Sequence, residues 1–334
     1  VTGVQTCALP ICRGSAYGHQ WKLDEAIEDH TRAIALNPKH AWAYHERGIV
    51  RERKNDFEGA IEDQTRAIEL ESKNVWAYYE RGIARGRKND FEGAIEDHTR
   101  AIALESKHSR AYNKRGENRL HRAIALASKH DGKHNDRGEN RLVKNDLQEA
   151  IADFTRVIEI DSGYAQAYIN RAYAHFNQKE WTKAEADYGR GIELGIKDAK
   201  TYFYRGCARL EAKNWDEAIA DYNQVLSLDP SFQKVHFKRG CALEKKGDLD
   251  GAISDYSREI LSNPANGQAY LQRGETKFRK GDLDGAIEDY TQAIAINPKD
   301  ETPYFKRGVA HHKKGNHAQA NDDMKKVKEI VANK

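Results

Sequence analysis

The chain has 334 residues, more than a single domain core usually contains, so either several domains or a repeat array is expected. Its 55 Lys and Arg residues nearly balance its 52 Asp and Glu residues, and the resulting net charge of +3 argues against nucleic acid or an anionic membrane as a partner. The sequence also lacks the run of roughly 18 apolar residues that membrane insertion requires.

Residues 1–12 differ from the sequence that follows. They read V-T-G-V-Q-T-C-A-L-P-I-C and show no helical periodicity. They resemble the translated adapter sequence that is found at the broken ends of assembled reading frames. We therefore interpret residues 1–12 as a non-native leader and exclude them from the fold prediction.

From residue 13 onward the sequence repeats at intervals of 34 residues. The segments 41–74 and 75–108 are identical at 27 of 34 positions. Full units begin at residues 7, 41, 75, 131, 165, 199, 233, 267 and 301, and a short unit of 22 residues occupies 109–130. The register predicts three units in residues 13–108, the first of them incomplete, and six units in residues 131–334.

Each full unit is predicted to form two antiparallel helices. Tyr at position 4 and Gly at position 8 mark one face of the first helix. Ala at position 20, a small or branched residue at 27 and usually Ile at 28 mark the second. The Lys-Asn-Asp or Lys-Gly-Asp between them suits a left-handed helix end followed by an Asp N-cap. A glycine inside a helix costs about 1 kcal/mol relative to alanine, so we predict close contact between positions 8 and 20.

The short unit lacks the segment that contains the turn and position 20. Without a turn signal, the sequence predicts one continuous helix from about Arg110 to Ser128. This helix has lost its repeat partner, so a bend or break in the array is expected near His130 to His134.

Two charged positions are constant. Arg occupies position 7 in every unit and Asp occupies position 23 in every full unit. Because these positions lie at similar heights in an antiparallel hairpin, we predict bidentate ion pairs within a unit or between neighbours. The residues concerned include Arg47 with Asp63, Arg81 with Asp97, Arg205 with Asp221, and Arg239 with Asp255.

A 34-residue unit with a small residue at position 8, Ala at 20, a small residue at 27 and Pro at 32 resembles the tetratricopeptide repeat (TPR) family. The resemblance covers residues 13–334, although Arg replaces the common Leu at position 7. It implies an all-α fold, an α-α superhelix or TPR solenoid of helix-turn-helix hairpins. It also implies a concave groove, lined by positions 2, 5, 9, 12 and 13 of the first helices.

That implied groove would contain aromatic side chains with basic edges, which is typical of surfaces that bind an extended or helical peptide. Simple packing between repeats is the alternative explanation for the same aromatic residues. The groove residues are Trp42, Trp76, Tyr79, Arg87, Ile169, Tyr173, Phe176, Lys200, Phe203, Lys234, Phe237 and Phe278.

No catalytic signature is present in the sequence. It has no Gly-rich phosphate loop, no H-E-x-x-H and no G-x-S-x-G, and its four cysteines form no C-x-x-C pair. His130 and His134 have metal-ligand spacing but no evident third ligand, so we expect no metal and no cofactor. The sequence favours a non-enzymatic scaffold that binds a protein or peptide. The alternatives are the recruiting arm of a larger enzyme and, less favoured, a single-stranded nucleic-acid binder.

Overall fold

In the computed structural model, residues 22–128 and 137–332 are described, with the side chains of 137–140 excepted. These residues form 17 α-helices and no strand, which confirms the predicted all-α fold. The chain divides into two compact units, residues 1–180 and residues 181–334, which we call the N-terminal unit and the C-terminal unit. The predicted leader 1–12 and the predicted break near His130 to His134 lie outside the described residues.

The N-terminal unit contains eight of these helices, and each packs against its neighbours in chain order. They are α1 (Leu23–Leu36), α2 (Ala41–Arg53), α3 (Phe57–Leu70), α4 (Val75–Arg87), α5 (Phe91–Leu104), α6 (Ser109–Ser128), α7 (Arg137–Ile160) and α8 (Ala165–Asn177).

The C-terminal unit contains the other nine helices, again packed in chain order. They are α9 (Trp181–Glu193), α10 (Ala199–Glu211), α11 (Trp215–Leu228), α12 (Val235–Lys246), α13 (Leu249–Ser262), α14 (Gly267–Lys280), α15 (Leu283–Ile296), α16 (Glu301–Lys313) and α17 (His317–Ala332). Even-numbered helices are the first helices of hairpins and odd-numbered helices are the second helices.

The turns inside the hairpins follow the predicted chemistry. Asn55 and Gly247 have φ of 64° and 96°, the left-handed conformation that ends a helix. The next residue then caps the second helix, since the Asp56 side chain accepts a hydrogen bond from the Gly59 amide at 3.0 Å. The chain reverses within a few residues, which brings the two helices of a hairpin side by side.

The position-8 glycines lie close to the side chain at position 24 of the second helix. A Cβ added to Gly206 would lie 2.8 Å from the Tyr222 ring, and one added to Gly240 would lie 2.8 Å from the Tyr256 ring. Both tyrosines occupy position 24 and are fully buried. The glycine therefore makes room for the large side chain at position 24. In the last hairpin a Cβ added to Gly308 would also lie 3.4 Å from the backbone oxygen of Ala320, the residue at position 20.

The short unit and the unit after it form one hairpin from two long helices. Residues 109–128 form a single helix, α6, which packs against α7. The structure differs from the predicted hairpin in residues 131–164, because α7 continues through Lys144 to Asp146, where a turn was expected. Asp146 accepts two hydrogen bonds from Arg122 at 2.6 and 2.8 Å instead of capping a new helix. The short helix therefore has a partner, and α8 follows this hairpin within the N-terminal unit.

Candidate functional site

The constant arginines and aspartates form ion pairs across the hairpins. Arg47 donates from Nη2 to Asp63 Oδ1 at 2.6 Å and from Nε to Oδ2 at 2.9 Å. The same bidentate geometry, with Nη2–Oδ1 distances of 2.6 or 2.7 Å, joins Arg81 to Asp97, Arg115 to Asp153, Arg205 to Asp221, Arg239 to Asp255, Arg273 to Asp289 and Arg307 to Asp323. Each pair lies within its own 34-residue unit except Arg115 with Asp153, which joins α6 to α7.

These arginines also connect neighbouring hairpins. Arg81 donates to the Thr65 hydroxyl of the preceding hairpin at 3.1 Å, and its guanidinium lies 5.6 Å from the centre of the Tyr78 ring. The Asp97 carboxylate is almost fully buried and also accepts from Arg85 at 2.9 Å. The ion pairs thus satisfy buried charge and align adjacent repeats, and their guanidinium groups are already engaged within the protein.

The first helices of the N-terminal unit expose two tryptophans. Trp42 and Trp76 occupy position 2 of α2 and α4, and both are large exposed apolar side chains. Tyr79, by contrast, is buried and stacks on His108 with ring centres 5.2 Å apart. Arg87 is exposed, with Nε 3.6 Å from Glu52 Oε1. Of the predicted groove residues in these two helices, Trp42, Trp76 and Arg87 are accessible to a partner, whereas Tyr79 belongs to the core.

The predicted groove residues of α8 are only partly accessible. Ile169, Tyr173 and Phe176 are half-buried. Tyr173 packs against the core formed by α6 and α7, which includes Leu120 and Phe154. The Tyr173 ring therefore contributes to packing between repeats, which was the alternative explanation for the aromatic residues.

The C-terminal unit also uses several predicted groove aromatics for packing. The Phe203 ring lies 6.0 Å from Tyr222 and 5.0 Å from Phe232, and the Phe237 ring lies 5.7 Å from Tyr256. Lys200 is exposed on the first turn of α10. These half-buried rings take part in packing between helices, whereas Lys200 is exposed to solvent.

Lys234 is placed differently from the sequence prediction. It was expected on the first helix of its unit, but α12 begins at Val235 and Lys234 precedes it with φ of 66°. Residues 229–234 read D-P-S-F-Q-K, and Asp229 accepts hydrogen bonds from both the backbone amide and the hydroxyl of Ser231. This local loop delays the start of the helix and removes Lys234 from the face that the first helices form.

A hollow of about 290 Å³ lies on the first helices at the end of the C-terminal unit. Phe278, Tyr290, Phe305 and Val309 form its apolar part. Phe278, Phe305 and Val309 occupy positions 12, 5 and 9 of their units, which are among the positions expected to line the groove. Two ion pairs border the hollow, one between Arg279 and Glu244 and one between Lys306 and Glu275, and all four of these charged residues also line it. At this hollow exposed apolar side chains and charged side chains lie together.

The described residues were compared with the requirements of a metal site and of a reactive thiol. They contain no group of three His, Cys, Asp or Glu side chains that could hold a metal ion. Burial raises the pKa of the Cys207 and Cys241 thiols, which keeps them protonated and poorly reactive. In the ranges that the structure covers, no helix has both the length and the apolar character needed to cross a bilayer.

Comparison with protein families finds the same repeat in three places. A model described as TPR repeat matches residues 274–315, and two models described as tetratricopeptide repeat match residues 199–232 and 135–199. No curated protein sequence matches the chain.

Several solved structures share the fold at low sequence identity. PilF of Pseudomonas aeruginosa is 15% identical with a TM-score of 0.56, covering 74% of this chain and all of that one. A tetratricopeptide repeat protein from Parabacteroides merdae is 16% identical with a TM-score of 0.52, covering 81% of this chain and 98% of that one. YrrB, described as a TPR protein with an unusual peptide-binding site, is 21% identical with a TM-score of 0.50, covering 66% of this chain and 99% of that one.

Proposed function

The chain is a tetratricopeptide repeat array protein, and from that premise we propose that it is a non-catalytic scaffold that binds a protein through the first helices of its hairpins. Stacked hairpins present their first helices as a continuous surface within each compact unit, a geometry that suits an elongated ligand. The hollow at α12, α14 and α16 carries this proposal, because it leaves apolar side chains open beside exposed charge.

The exposed fraction of the side chains distinguishes the surface at the hollow from the aromatic residues packed between helices. The Phe305 side chain is 48% exposed and Val309 is 38% exposed, whereas the position-24 tyrosines of the same unit are fully buried. A single exposed apolar residue is ordinary, but two beside a hollow form a surface that a partner can cover. Trp42 and Trp76 give the N-terminal unit a second candidate contact area of the same kind.

The YrrB comparison supports the same reading by analogy. That protein shares the fold and is described as having a peptide-binding site. The fold alone does not specify a partner, because one architecture supports many functions. The proposal for this chain therefore depends on its own exposed residues.

Site-specific photo-crosslinking tests the proposed surface. A benzophenone amino acid replaces Phe305 in one variant and Leu261 in the control, since Leu261 is 81% exposed on the second helix α13. With the full chain in an extract of the source cells, we expect a defined set of proteins crosslinked from position 305 and not from position 261. Equal capture from both positions, or capture from position 261 alone, would contradict binding through the first helices.

A further inference from the structure

We propose that the hollow at α12, α14 and α16 binds an acidic segment of the partner, with one apolar side chain of that segment inserted between Phe278, Phe305 and Val309. This inference rests on the proposed function and specifies the chemistry of the partner. It follows from which side chains remain uncovered around the hollow and from which charges are already satisfied.

The apolar part of the hollow selects the inserted side chain. Phe278 lies at position 12 of α14, while Phe305 and Val309 lie one turn apart on α16, so three side chains from two neighbouring helices face the same space. A volume of about 290 Å³ accommodates one large aliphatic or aromatic side chain together with part of its backbone. Covering Phe305 and Val309 removes apolar surface from water, which is the main favourable contribution to such an interface.

The negative charges at the hollow are turned inward. Glu244 accepts a hydrogen bond from the Tyr256 hydroxyl at 3.0 Å and pairs with Arg279 at 2.8 Å. Its side chain is 11% exposed, whereas that of Arg279 is 49% exposed. Glu275 pairs with Lys306 and is likewise the less exposed member of its pair.

The positive charges therefore face the solvent around the opening. Lys313 adds a further exposed cation, with Nζ 4.8 Å from the centre of the Phe278 ring. Arg279, Lys306 and Lys313 each keep donors that the two glutamates do not use, because a guanidinium has five N–H groups and an ammonium has three. A partner approaching the hollow meets positive charge first, so a carboxylate next to the inserted side chain gains attraction, and a Lys or Arg there is repelled.

A random peptide library identifies the preferred ligand without assuming a sequence. The full chain is immobilised, a 12-residue random library is selected on it, and the enriched peptides are synthesised with a fluorescein label. Binding is then measured by fluorescence anisotropy to the parent chain and to Phe305→Ser, Arg279→Gln and the control Leu261→Ser, each verified as folded by circular dichroism. We expect enriched peptides with one large apolar residue flanked by Asp or Glu.

The variants separate the apolar contribution from the charge contribution. Phe305→Ser is expected to weaken binding by at least about tenfold, the effect of losing an anchor contact. Arg279→Gln is expected to weaken it by about threefold to tenfold at low salt, with a smaller effect at high salt because salt screens exposed charges. Leu261→Ser should leave the affinity unchanged.

The outcomes distinguish the two levels of the proposal. Peptides that are basic or uncharged but still depend on Phe305 would overturn the acidic specificity and leave the scaffold function in place. Peptides that bind equally well to Phe305→Ser and the parent chain, or a library without enrichment, would overturn this binding site. Either result would also count against the proposed scaffold function. Acidic peptides that tolerate Arg279→Gln at low salt would overturn the assigned charge contact.

Discussion

Acid should destabilise the hairpin formed by α4 and α5 through one histidine, His98. His98 lies on α5 at position 24 of its 34-residue unit, is fully buried, and has no hydrogen-bond partner at either ring nitrogen among the described residues. Its ring packs on Gly82, where an added Cβ would lie 2.5 Å away. Burial, followed by the positive charges of Lys114 and Arg115 on α6 and of His108, lowers the pKa of His98 to about 3.

The direction of the pH effect follows from proton binding. Folding lowers the pKa of His98 from 6.5, so only the unfolded hairpin takes up a proton as the pH falls below 6.5. The stability of the hairpin is therefore fully present above pH 6.5 and is lost progressively between pH 6.5 and about 3. At pH 5 the loss is about 2 kcal/mol, equivalent to a roughly 30-fold larger population of the open hairpin.

Hydrogen–deuterium exchange of peptides from α5 measures this opening. The matched control is His98→Phe, because Phe154 occupies the equivalent place against Gly116 and is also fully buried. After correction for the intrinsic exchange rate, acidification from pH 7.5 to 5 should raise opening of α5 about 30-fold more in the parent chain than in the variant. Burial also lowers the pKa of His30, His45 and His108, so a shared background of acid destabilisation is expected in both proteins. Identical pH dependence in the two proteins would refute the assignment to His98.

Three further substitutions test the packing of the array. Asp221→Ala removes the buried carboxylate shared by Arg205 and Arg209. The free energy of unfolding should fall by about 3–5 kcal/mol, measured as a lower Tm. An unchanged Tm would mean that these ion pairs do not stabilise the fold. Gly240→Val places atoms against the Tyr256 ring and should lower the free energy of unfolding by about 1–3 kcal/mol or more, measured by chemical denaturation. An unchanged free energy of unfolding would show that the two helices can move apart there. Arg122→Ala breaks the contact with Asp146 and should speed hydrogen exchange at the start of α7 without altering α8; slow exchange in α7 would argue for another source of its stability.

The periodic part of the fold was readable from the sequence for a physical reason. Helix faces, turn residues and caps depend on local chemistry, and each recurs every 34 residues. The pairing of position 7 with position 23 also followed, because antiparallel helices of fixed length fix which residues are level. The structure places Arg47 and Asp63 within hydrogen-bonding distance in that way.

The remaining differences arise where local rules compete with packing. The sequence did not predict a continuous α7, because its Lys-Asn-Asp is identical to the turn motif of the other units. Here Asp146 instead accepts a hydrogen bond from Arg122 of α6. The accessible surface was harder still to predict. Tyr79 and Phe305 both occupy position 5, yet one stacks on His108 and the other lies 48% exposed, because their neighbours differ.

The most direct test of partner binding through the first helices is a hydrogen-exchange footprint of the full chain with a library-selected peptide. With peptide bound, the amides of the first helices α14 and α16 should exchange more slowly around residues 275–279 and 305–309, the segments that line the hollow. The second helices α13 and α17 should exchange as they do without peptide. Protection confined to the second helices, with α14 and α16 unchanged, would contradict the proposed surface.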